Sequence, residues 1–279
     1  MIYITGDIHG NPNQIVNFCI NKNLNSEDVI VMLGDVGLNF WFSKRDIQAK
    51  RKLLKTGVTF FCIHGNHEAR PATINSYKTK EWNGGTVWYE EEYPNILFAK
   101  DGDIFELDGK KCLVLGGAYS VDKYYRFHKY LSYCENINDY SMDVITGVRD
   151  IVFGINIKEE LLKEIDNAIE NSNGSEFGWW KDEQPSKDIK EYAEEKINAV
   201  QNKVDFVFSH TCPAKYIPTE MFLPNLNQDT VDNSTEHWLD KIEDKINYKK
   251  WYCGHWHVDK KIDNMVFLFN SIDTFPLYD

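Results

Sequence analysis

The segment Val58-Thr59-Phe60-Phe61-Cys62-Ile63 is followed, after one histidine, by Gly65-Asn66-His67-Glu68. The continuous apolar run predicts a strand that is buried on both faces. In an open α/β sheet, ligands bind in the crevice at the carboxyl ends of such strands. An Asn there can offer its carbonyl oxygen to a metal, and the adjacent His can act as an acid or bind phosphate. A turn without a function is the alternative, because Gly-Asn occurs in turns of any protein.

Two further apolar strands precede this one, at Ile2–Thr5 and Val29–Leu33. Amphipathic helices are predicted after them, over Asn13–Asn21 and from an N-cap at Ser43 to Lys55. The spacing of the three strands is that of successive βαβ units. The polar residues that follow each strand are therefore expected at the same edge of one sheet.

The next part of the chain changes character. Thr86–Leu115 contains short strand-like pieces, and Asp101-Gly102 and Asp108-Gly109 within it are hairpin signals. We predict a meander that begins a second sheet. Residues 127–177 are predicted to form a partly helical insert, in which only Glu159–Glu170 shows a sustained helical period.

The remaining segments return to an alternation of helices and strands. Helices are predicted at Pro185–Val200 and Thr235–Ile246 from their apolar stripes. The strands predicted here are Val204–Phe208, Trp251–Cys253 and Val266–Phe269.

Composition is that of an ordinary soluble domain, with 42% hydrophobic and 27% charged residues in 279. We predict a single domain over residues 1–279. No apolar run approaches the length of a membrane span, and we expect no leader sequence, because no basic segment followed by an apolar one is found. The six cysteines form no Cys-x-x-Cys pair, which favours reduced thiols and a cytoplasmic location. A net charge of −12 disfavours long nucleic acids as substrates.

Polar side chains with metal-binding or acid–base chemistry recur directly after the predicted strands. Five of the eight histidines of the chain belong to this group. Alternate residues of an extended segment point the same way, so Asp-x-His and His-x-His each present two ligands to one site. Imidazole, carboxylate and carbonyl ligands without thiolate suit Mn, Fe, Zn, Co or Ni better than Ca or a structural zinc. The group consists of Asp7, His9, Asp35, Asn66, His67, His210, His255 and His257.

In order along the chain, these motifs resemble those of the calcineurin-like metallophosphoesterase superfamily. The resemblance covers residues 1–126 and 178–279, and residues 116–123 and 179–185 look like a small, uncharacterised bacterial and phage subgroup. It implies an α/β fold in which a two-sheet β-sandwich is flanked by helices, with a dinuclear metal centre at the strand ends. The motifs are Gly6-Asp-Ile-His-Gly10, Gly34-Asp35, Gly65-Asn-His-Glu68, His210 and Gly254-His-Trp-His257.

The resemblance also assigns roles by position. It implies two divalent ions, with Mn expected first and Fe, Zn, Co or Ni as alternatives, and a bridging hydroxide that attacks phosphorus. His67 would protonate the leaving oxygen or stabilise the charge of the transition state. The first ion would be held by Asp7, His9, Asp35 and His257, and the second by Asp35, Asn66, His210 and His255.

One departure from the family pattern concerns the substrate. The protein-phosphatase branch has an Asp that orients the catalytic His and an Arg that binds phosphate, where this chain has Leu38 and Asn39. A protein phosphatase is therefore disfavoured. Phosphate contacts are expected from other cations, and the candidates are Arg70, Arg126 and Lys123.

Two questions stay open at the level of sequence. Glu183 or Asp122 could orient His67 in place of the missing Asp. The predicted function is hydrolysis of a small phosphate mono- or diester or a nucleotide. The alternatives are a catalytically silent binding scaffold, or a protein phosphatase or nuclease of the same superfamily.

Overall fold

The first sheet is built around three parallel strands at the start of the chain. The computed structural model describes residues 1–223 and 228–276, apart from the side chain of Asp229. In it β1 is Ile2–Thr5, β2 is Val29–Met32 and β3 is Thr59–Cys62, paired in parallel. Side chains of β2 and β3 are buried on both faces, as the continuous apolar runs predict.

The predicted meander lies in two sheets, not one. Three strands, β4 (Tyr77–Trp82), β5 (Gly85–Glu90) and β6 (Tyr93–Ala99), extend the first sheet, and β6 pairs in parallel with β3. The prediction that this region begins a second sheet was wrong for β5 and β6. Sequence periodicity shows that a segment is a strand but does not show which edge it joins. The continuous polar run Lys78–Glu81 in β4 concealed that strand altogether.

The two Asp-Gly signals have different outcomes. Asp108-Gly109 joins β7 (Ile104–Leu107) to β8 (Lys110–Leu115) as an antiparallel hairpin. Asp101-Gly102 instead lies where the chain crosses from the first sheet to the second. This turn is hydrogen-bonded to the end of β8, because the backbone N–H of Gly116 donates to Oδ1 of Asp101 at 2.9 Å.

The remaining strands are β9 (Phe206–Ser209), β10 (Lys250–Cys253), β11 (Lys260–Ile262), β12 (Met265–Phe267) and β13 (Ile272–Phe275). The second sheet has six strands in the order β11-β12-β10-β9-β8-β7. Its inner strands β8, β9, β10 and β12 are parallel, and β7 and β11 are the antiparallel edges. A final strand, β13, was not predicted and returns to pair with β1 in the first sheet.

Helices cover the outer faces of both sheets. Buried apolar residues of α1 (Asn13–Lys22) and α2 (Lys44–Leu54) pack on the first sheet, and Ser43 caps α2 as predicted. Those of α6 (Lys187–Ala199) and α7 (Ser234–Glu243) pack on the second sheet. A third apolar cluster fills the space between the sheets. The predicted two-sheet sandwich flanked by helices is therefore confirmed.

Residues between β8 and α6 form a helical unit with its own apolar cluster, inserted within the part of the chain that builds the second sheet. It contains α3 (Lys123–Leu131), α4 (Met142–Val152) and α5 (Glu159–Asn171). The sequence did not reveal α4. Part of the reason is Gly147, whose missing side chain lets α4 approach α5 and breaks the apolar pattern. Among the described residues, no helix is long and apolar enough to cross a membrane.

The two sheets approach each other closely where β2 and β9 end. Gly34, at φ +95°, follows β2, and a Cβ built on it would lie 2.2 Å from Nδ1 of His210. The left-handed conformation and the close contact both require glycine here.

We therefore predict that Gly34→Ala is more destabilising than Gly57→Ala. Gly57 also has a left-handed φ, of +74°, but a Cβ there would meet nothing within 4 Å. Both substitutions bear the conformational cost, while overpacking against His210 costs Gly34→Ala about 1–3 kcal/mol more. Urea unfolding of the metal-free proteins measures the difference. Equal losses of unfolding free energy would show that His210 does not pack against Gly34.

Candidate metal centre

The ends of the parallel strands of both sheets meet at one edge of the molecule. This edge carries every metal ligand that the sequence analysis proposed. The structure therefore brings together residues that are up to about 250 positions apart in the chain, in agreement with the expected crevice at the strand ends. They follow β1 (Asp7 and His9), β2 (Asp35), β3 (Asn66), β9 (His210) and β10 (His255 and His257).

One group of donor atoms belongs to the residues expected to hold the first ion. Nε2 of His9 lies 3.0 Å from Nε2 of His257, which in turn lies 3.3 Å from Oδ2 of Asp7. These three residues each offer a donor atom within 4.8 Å of the others. Oδ2 of Asp35 is 3.8 Å from Nδ1 of His9, so the fourth predicted ligand borders the group.

A second group surrounds the side-chain oxygen of Asn66. This Oδ1 is 2.9 Å from Nε2 of His210 and 3.1 Å from Nδ1 of His255. Oδ1 of Asp35 lies 3.2 Å from the same Nε2. Asp35 thus faces both groups, which is the position that a bridging ligand needs.

The residues present fit a pair of divalent cations. Both ring nitrogens of His210 face oxygen atoms, because Nδ1 lies 2.8 Å from the carbonyl oxygen of Leu33. Burial lowers the pKa of His210, but Asp35 outweighs it and raises that pKa to about 9. A cation at Nε2 would replace a proton that is surrounded by oxygen atoms, while the carbonyl keeps the ring oriented.

The carboxylates of the site point to the same conclusion. Asp7 and Asp35 are buried, and within the described ranges their ionic partners are histidines, not Lys or Arg. Burial by itself raises the pKa of Asp35, but the facing imidazoles of His210 and His67 hold it well below its usual value. Buried carboxylates need compensating positive charge. Nitrogen and oxygen donors of this kind suit a transition metal.

Backbone strain is concentrated in these ligands. His9, Asp35, His255 and His257 all have positive φ, between 46° and 66°. A non-glycine residue in this region costs about 1–3 kcal/mol and persists where the surroundings impose it. Such residues cluster at functional sites, and four of the seven proposed ligands share the feature.

Glu68 was assigned no role from the sequence, but it holds together the loops that follow β2 and β3. Its carboxylate accepts hydrogen bonds from the backbone N–H groups of Val36, Gly37 and Gly65 at 3.1–3.3 Å. Burial raises the pKa of Glu68 to about 8. The contact joins the loop that carries Asp35 to the loop that carries Asn66. The place of Glu68 at the end of the motif Gly65-Asn-His-Glu68 is the signal in the sequence that could have identified it.

Ser120 fixes the orientation of the Asn66 amide. Nδ2 of Asn66 donates to Oγ of Ser120 at 3.0 Å, which leaves Oδ1 directed at the two imidazoles. The backbone N–H of Ser120 donates to Oε1 of Glu183 at 2.9 Å. Burial raises the pKa of Glu183 to about 7. Both residues lie in the blocks 116–123 and 179–185, which is the signal in the sequence that could have identified them.

Comparison with known proteins agrees with this geometry. A family model described as calcineurin-like phosphoesterase matches residues 1–259. The chain belongs to the calcineurin-like phosphoesterase family. This membership supports a hydrolase, and the family uses divalent metals. No curated protein gives a significant match.

Two solved structures are similar to this chain. Phosphopantetheinyl hydrolase from Mycobacterium tuberculosis is 13% identical, with a TM-score of 0.44 over 96% of this chain and 87% of that one. A protein of unknown function from Aquifex aeolicus is 19% identical, with a TM-score of 0.25 over 57% of this chain and 81% of that one. At these scores neither structure adds to the family assignment.

The surroundings of His67 differ from the pattern of the protein-phosphatase branch. Leu38 is buried in the apolar cluster under the first sheet and does not reach His67. Phe40 stacks on the imidazole at 5.9 Å instead. A terminal nitrogen of Arg126 lies 2.7 Å from Nε2 and 3.1 Å from Nδ1 of His67. Burial and the charge of Arg126 together lower the pKa of His67 to about 4, against the opposing effect of Asp35.

The two acids considered as partners of His67 lie elsewhere. Asp122 approaches it through Arg126, whose Nε donates to Oδ2 of Asp122 at 2.8 Å. Glu183 accepts the hydrogen bond from Ser120 described above. Three contacts therefore hold His67 in place. Its backbone N–H donates a hydrogen bond to Oδ1 of Asp35 at 2.8 Å, and its ring contacts Arg126 and Phe40.

The three candidate phosphate contacts occupy different positions. Arg126 borders His67, whereas Arg70 is buried and donates to Asp101 and to the carbonyl oxygen of Asp182. Lys123 is also buried and donates to Asp166 at 2.8 Å. Roles for Arg70 and Lys123 in substrate binding stay predictions, and both side chains would first have to leave these ion pairs.

We predict that His9→Gly is more stable than His9→Ala in the absence of metal. His9 has φ +46°, where a Cβ costs about 1–2 kcal/mol, so we expect a difference of about 1 kcal/mol. His237, exposed on α7, is the matched control. At position 237 the Ala variant should have a free energy of unfolding about 0.5–1 kcal/mol higher than the Gly variant, because the position is helical. Urea unfolding in the presence of a chelator gives both differences. An Ala variant at position 9 as stable as the Gly variant would exclude strain at this ligand.

Proposed function

We propose that this chain is a dinuclear metal-dependent phosphoesterase that hydrolyses a small phosphate mono- or diester. The observation that carries the proposal is the convergence of two donor groups that share Asp35, directly beside His67 and Arg126. When bound, two divalent ions lower the pKa of a water molecule and stabilise negative charge on the phosphoryl oxygens. Mn is the ion that we propose first, with Fe, Zn, Co or Ni as alternatives.

The side chains of the protein supply the remaining interactions. Asp7, His9, Asp35 and His257 would hold one ion, and Asp35, Asn66, His210 and His255 the other. Arg126 would donate to a phosphoryl oxygen, because a guanidinium next to the catalytic imidazole places a fixed positive charge where the transition state gains negative charge.

His67 would act on the leaving oxygen. Burial and Arg126 hold its pKa below neutral pH, so its imidazole is neutral and carries a single N–H. We propose that this N–H donates a hydrogen bond to the oxygen that departs from phosphorus. Such a group contributes typically 10²–10⁴-fold to a rate.

Surface charge favours small substrates. With a net charge of −12, the chain offers little electrostatic attraction for the backbone of a long nucleic acid. A protein phosphatase is disfavoured because Asn39, at the position of the family's phosphate-binding Arg, is buried and bonded to Lys50 and Tyr77. A small phosphoester or a nucleotide is the substrate that we propose.

We expect turnover of p-nitrophenyl phosphate or bis(p-nitrophenyl) phosphate in the presence of Mn²⁺, and loss of turnover with a chelator. Release of p-nitrophenol measures the rate, and elemental analysis of the same sample measures bound metal. A protein that holds two ions but hydrolyses neither compound with any of the five proposed metals would contradict the proposal. It would favour the binding-scaffold alternative.

We expect His67→Ala to lower kcat by about 10²–10⁴-fold with unchanged metal content, because His67 is placed at the leaving group and not among the ligands. His237→Ala, at the exposed position on α7, should leave kcat unchanged. Equal turnover by the wild type and His67→Ala would remove the proposed role of His67.

A further inference from the structure

A cleft with a volume of about 290 Å³ opens beside the metal centre. One side is lined by Asn66, His67 and His255, which belong to the site described above. Met221–Leu223, in the segment before α7, line the same cleft. A molecule whose phosphate contacts the metal centre would therefore have its ester group in the cleft that these residues line.

The segment Met221–Leu223 is unusually apolar for an exposed surface. Met221, Phe222 and Leu223 are 36%, 38% and 54% exposed, and none of them belongs to an apolar cluster of the described residues. The ring of Phe222 lies 6.3 Å from that of Trp256, which stands between two proposed ligands in sequence. We call these four residues the apolar wall. Contiguous exposed apolar side chains at the rim of a polar site indicate a binding surface.

The charges around the cleft exclude a highly anionic ester group. Its described lining contains no Lys or Arg, while Asp35 and Asp122 both contribute carboxylates. The nearby guanidinium of Arg126 is bonded to Asp122, His67 and the carbonyl oxygen of Gly178, and its remaining N–H groups are assigned above to the phosphate at the metal centre. A second phosphate group on the substrate would therefore meet apolar side chains and Asp122, with no free cation among the described residues that line the cleft.

We propose that the apolar wall binds an uncharged, hydrophobic ester group, so that the preferred substrate is a phosphoester of a hydrophobic alcohol and not a nucleoside polyphosphate. This inference rests on the proposed function for the position of the phosphate. It specifies the other half of the substrate. The segment Met221–Leu223 would then contribute to specificity without contacting the reacting atoms.

Binding of hydrolytically inert alkylphosphonates to the Mn²⁺-loaded full chain tests the inference. Methyl-, butyl- and hexylphosphonate carry the same anionic group and differ only in apolar length. Each buried methylene contributes roughly fourfold to affinity, so partial burial predicts about tenfold or more tightening from methyl to hexyl. Isothermal titration calorimetry measures the three dissociation constants. Equal affinities, or no binding of hexylphosphonate, would overturn the proposal.

A pair of variants assigns the effect to the apolar wall. In Phe222→Ala/Leu223→Ala the gain from methyl to hexyl should fall to about threefold or less, because both replaced side chains are exposed to the cleft. Phe153→Ala, at an aromatic residue that is 69% exposed on the helical unit, should keep the full gain. Thermal unfolding should be unchanged in all three proteins. The same gain in the double variant as in the wild type would overturn the role of the wall.

Hydrolysis of p-nitrophenyl methyl phosphate and p-nitrophenyl hexyl phosphate separates this inference from the proposed function. The leaving group is the same in both, so a higher kcat/KM for the hexyl ester supports the wall. Equal kcat/KM values would contradict binding of the ester group by the apolar wall, but they would not contradict the proposed phosphoesterase function. Chain-length-dependent binding of the phosphonates without hydrolysis of either ester would support the wall and contradict the phosphoesterase.

Discussion

The close approach of the loops at the strand ends is the constraint on which the site depends. A Cβ on Gly65 would lie 2.1 Å from the backbone nitrogen of Asp35, and one on Gly34 would lie 2.2 Å from the imidazole of His210. Without side chains at these two positions, the ends of β2, β3 and β9 come close enough for their ligands to meet. Glu68 then holds the two loops of the first sheet together by accepting three backbone hydrogen bonds.

That arrangement explains what could be predicted from the sequence. The apolar runs before Asp7, Asp35 and Asn66 are parallel inner strands, and such strands must present their carboxyl ends at one edge. The order of the ligands along the chain therefore indicated their meeting in space. The other strands of the first sheet carry no comparable constraint, so the membership of β5 and β6 in this sheet and the return of β13 depended on pairings that periodicity does not encode.

The partners of the ligands were still harder to foresee. Ser120 and Arg126 reach Asn66 and His67 from a loop and from the helix that follows it, and their contacts depend on how the helical unit packs. Local patterns describe which face of an element is apolar. They do not describe where a side chain from a distant element ends.

The contact between Arg126 and His67 changes the electrostatics of the site relative to the family pattern. An Asp partner would favour the imidazolium and raise the pKa of His67, whereas a guanidinium at 2.7 Å opposes protonation. The positive charge is therefore permanent and belongs to Arg126, and the imidazole next to it stays neutral. In this chain, charge stabilisation and hydrogen bonding to the leaving oxygen would be divided between two residues.

The strain in the ligand loops gives metal binding a second consequence. Four ligands are held at positive φ, and two carboxylates are buried among histidines without Lys or Arg partners in the described part of the chain. In the metal-free protein the facing imidazoles already compensate the charge of Asp35, but the strained conformations oppose folding. A cation that binds the folded site but not the unfolded chain offsets them, because its binding free energy adds to the stability of the native state. The residues that make the site suited to divalent ions thus also make the stability of the sheet edge depend on those ions.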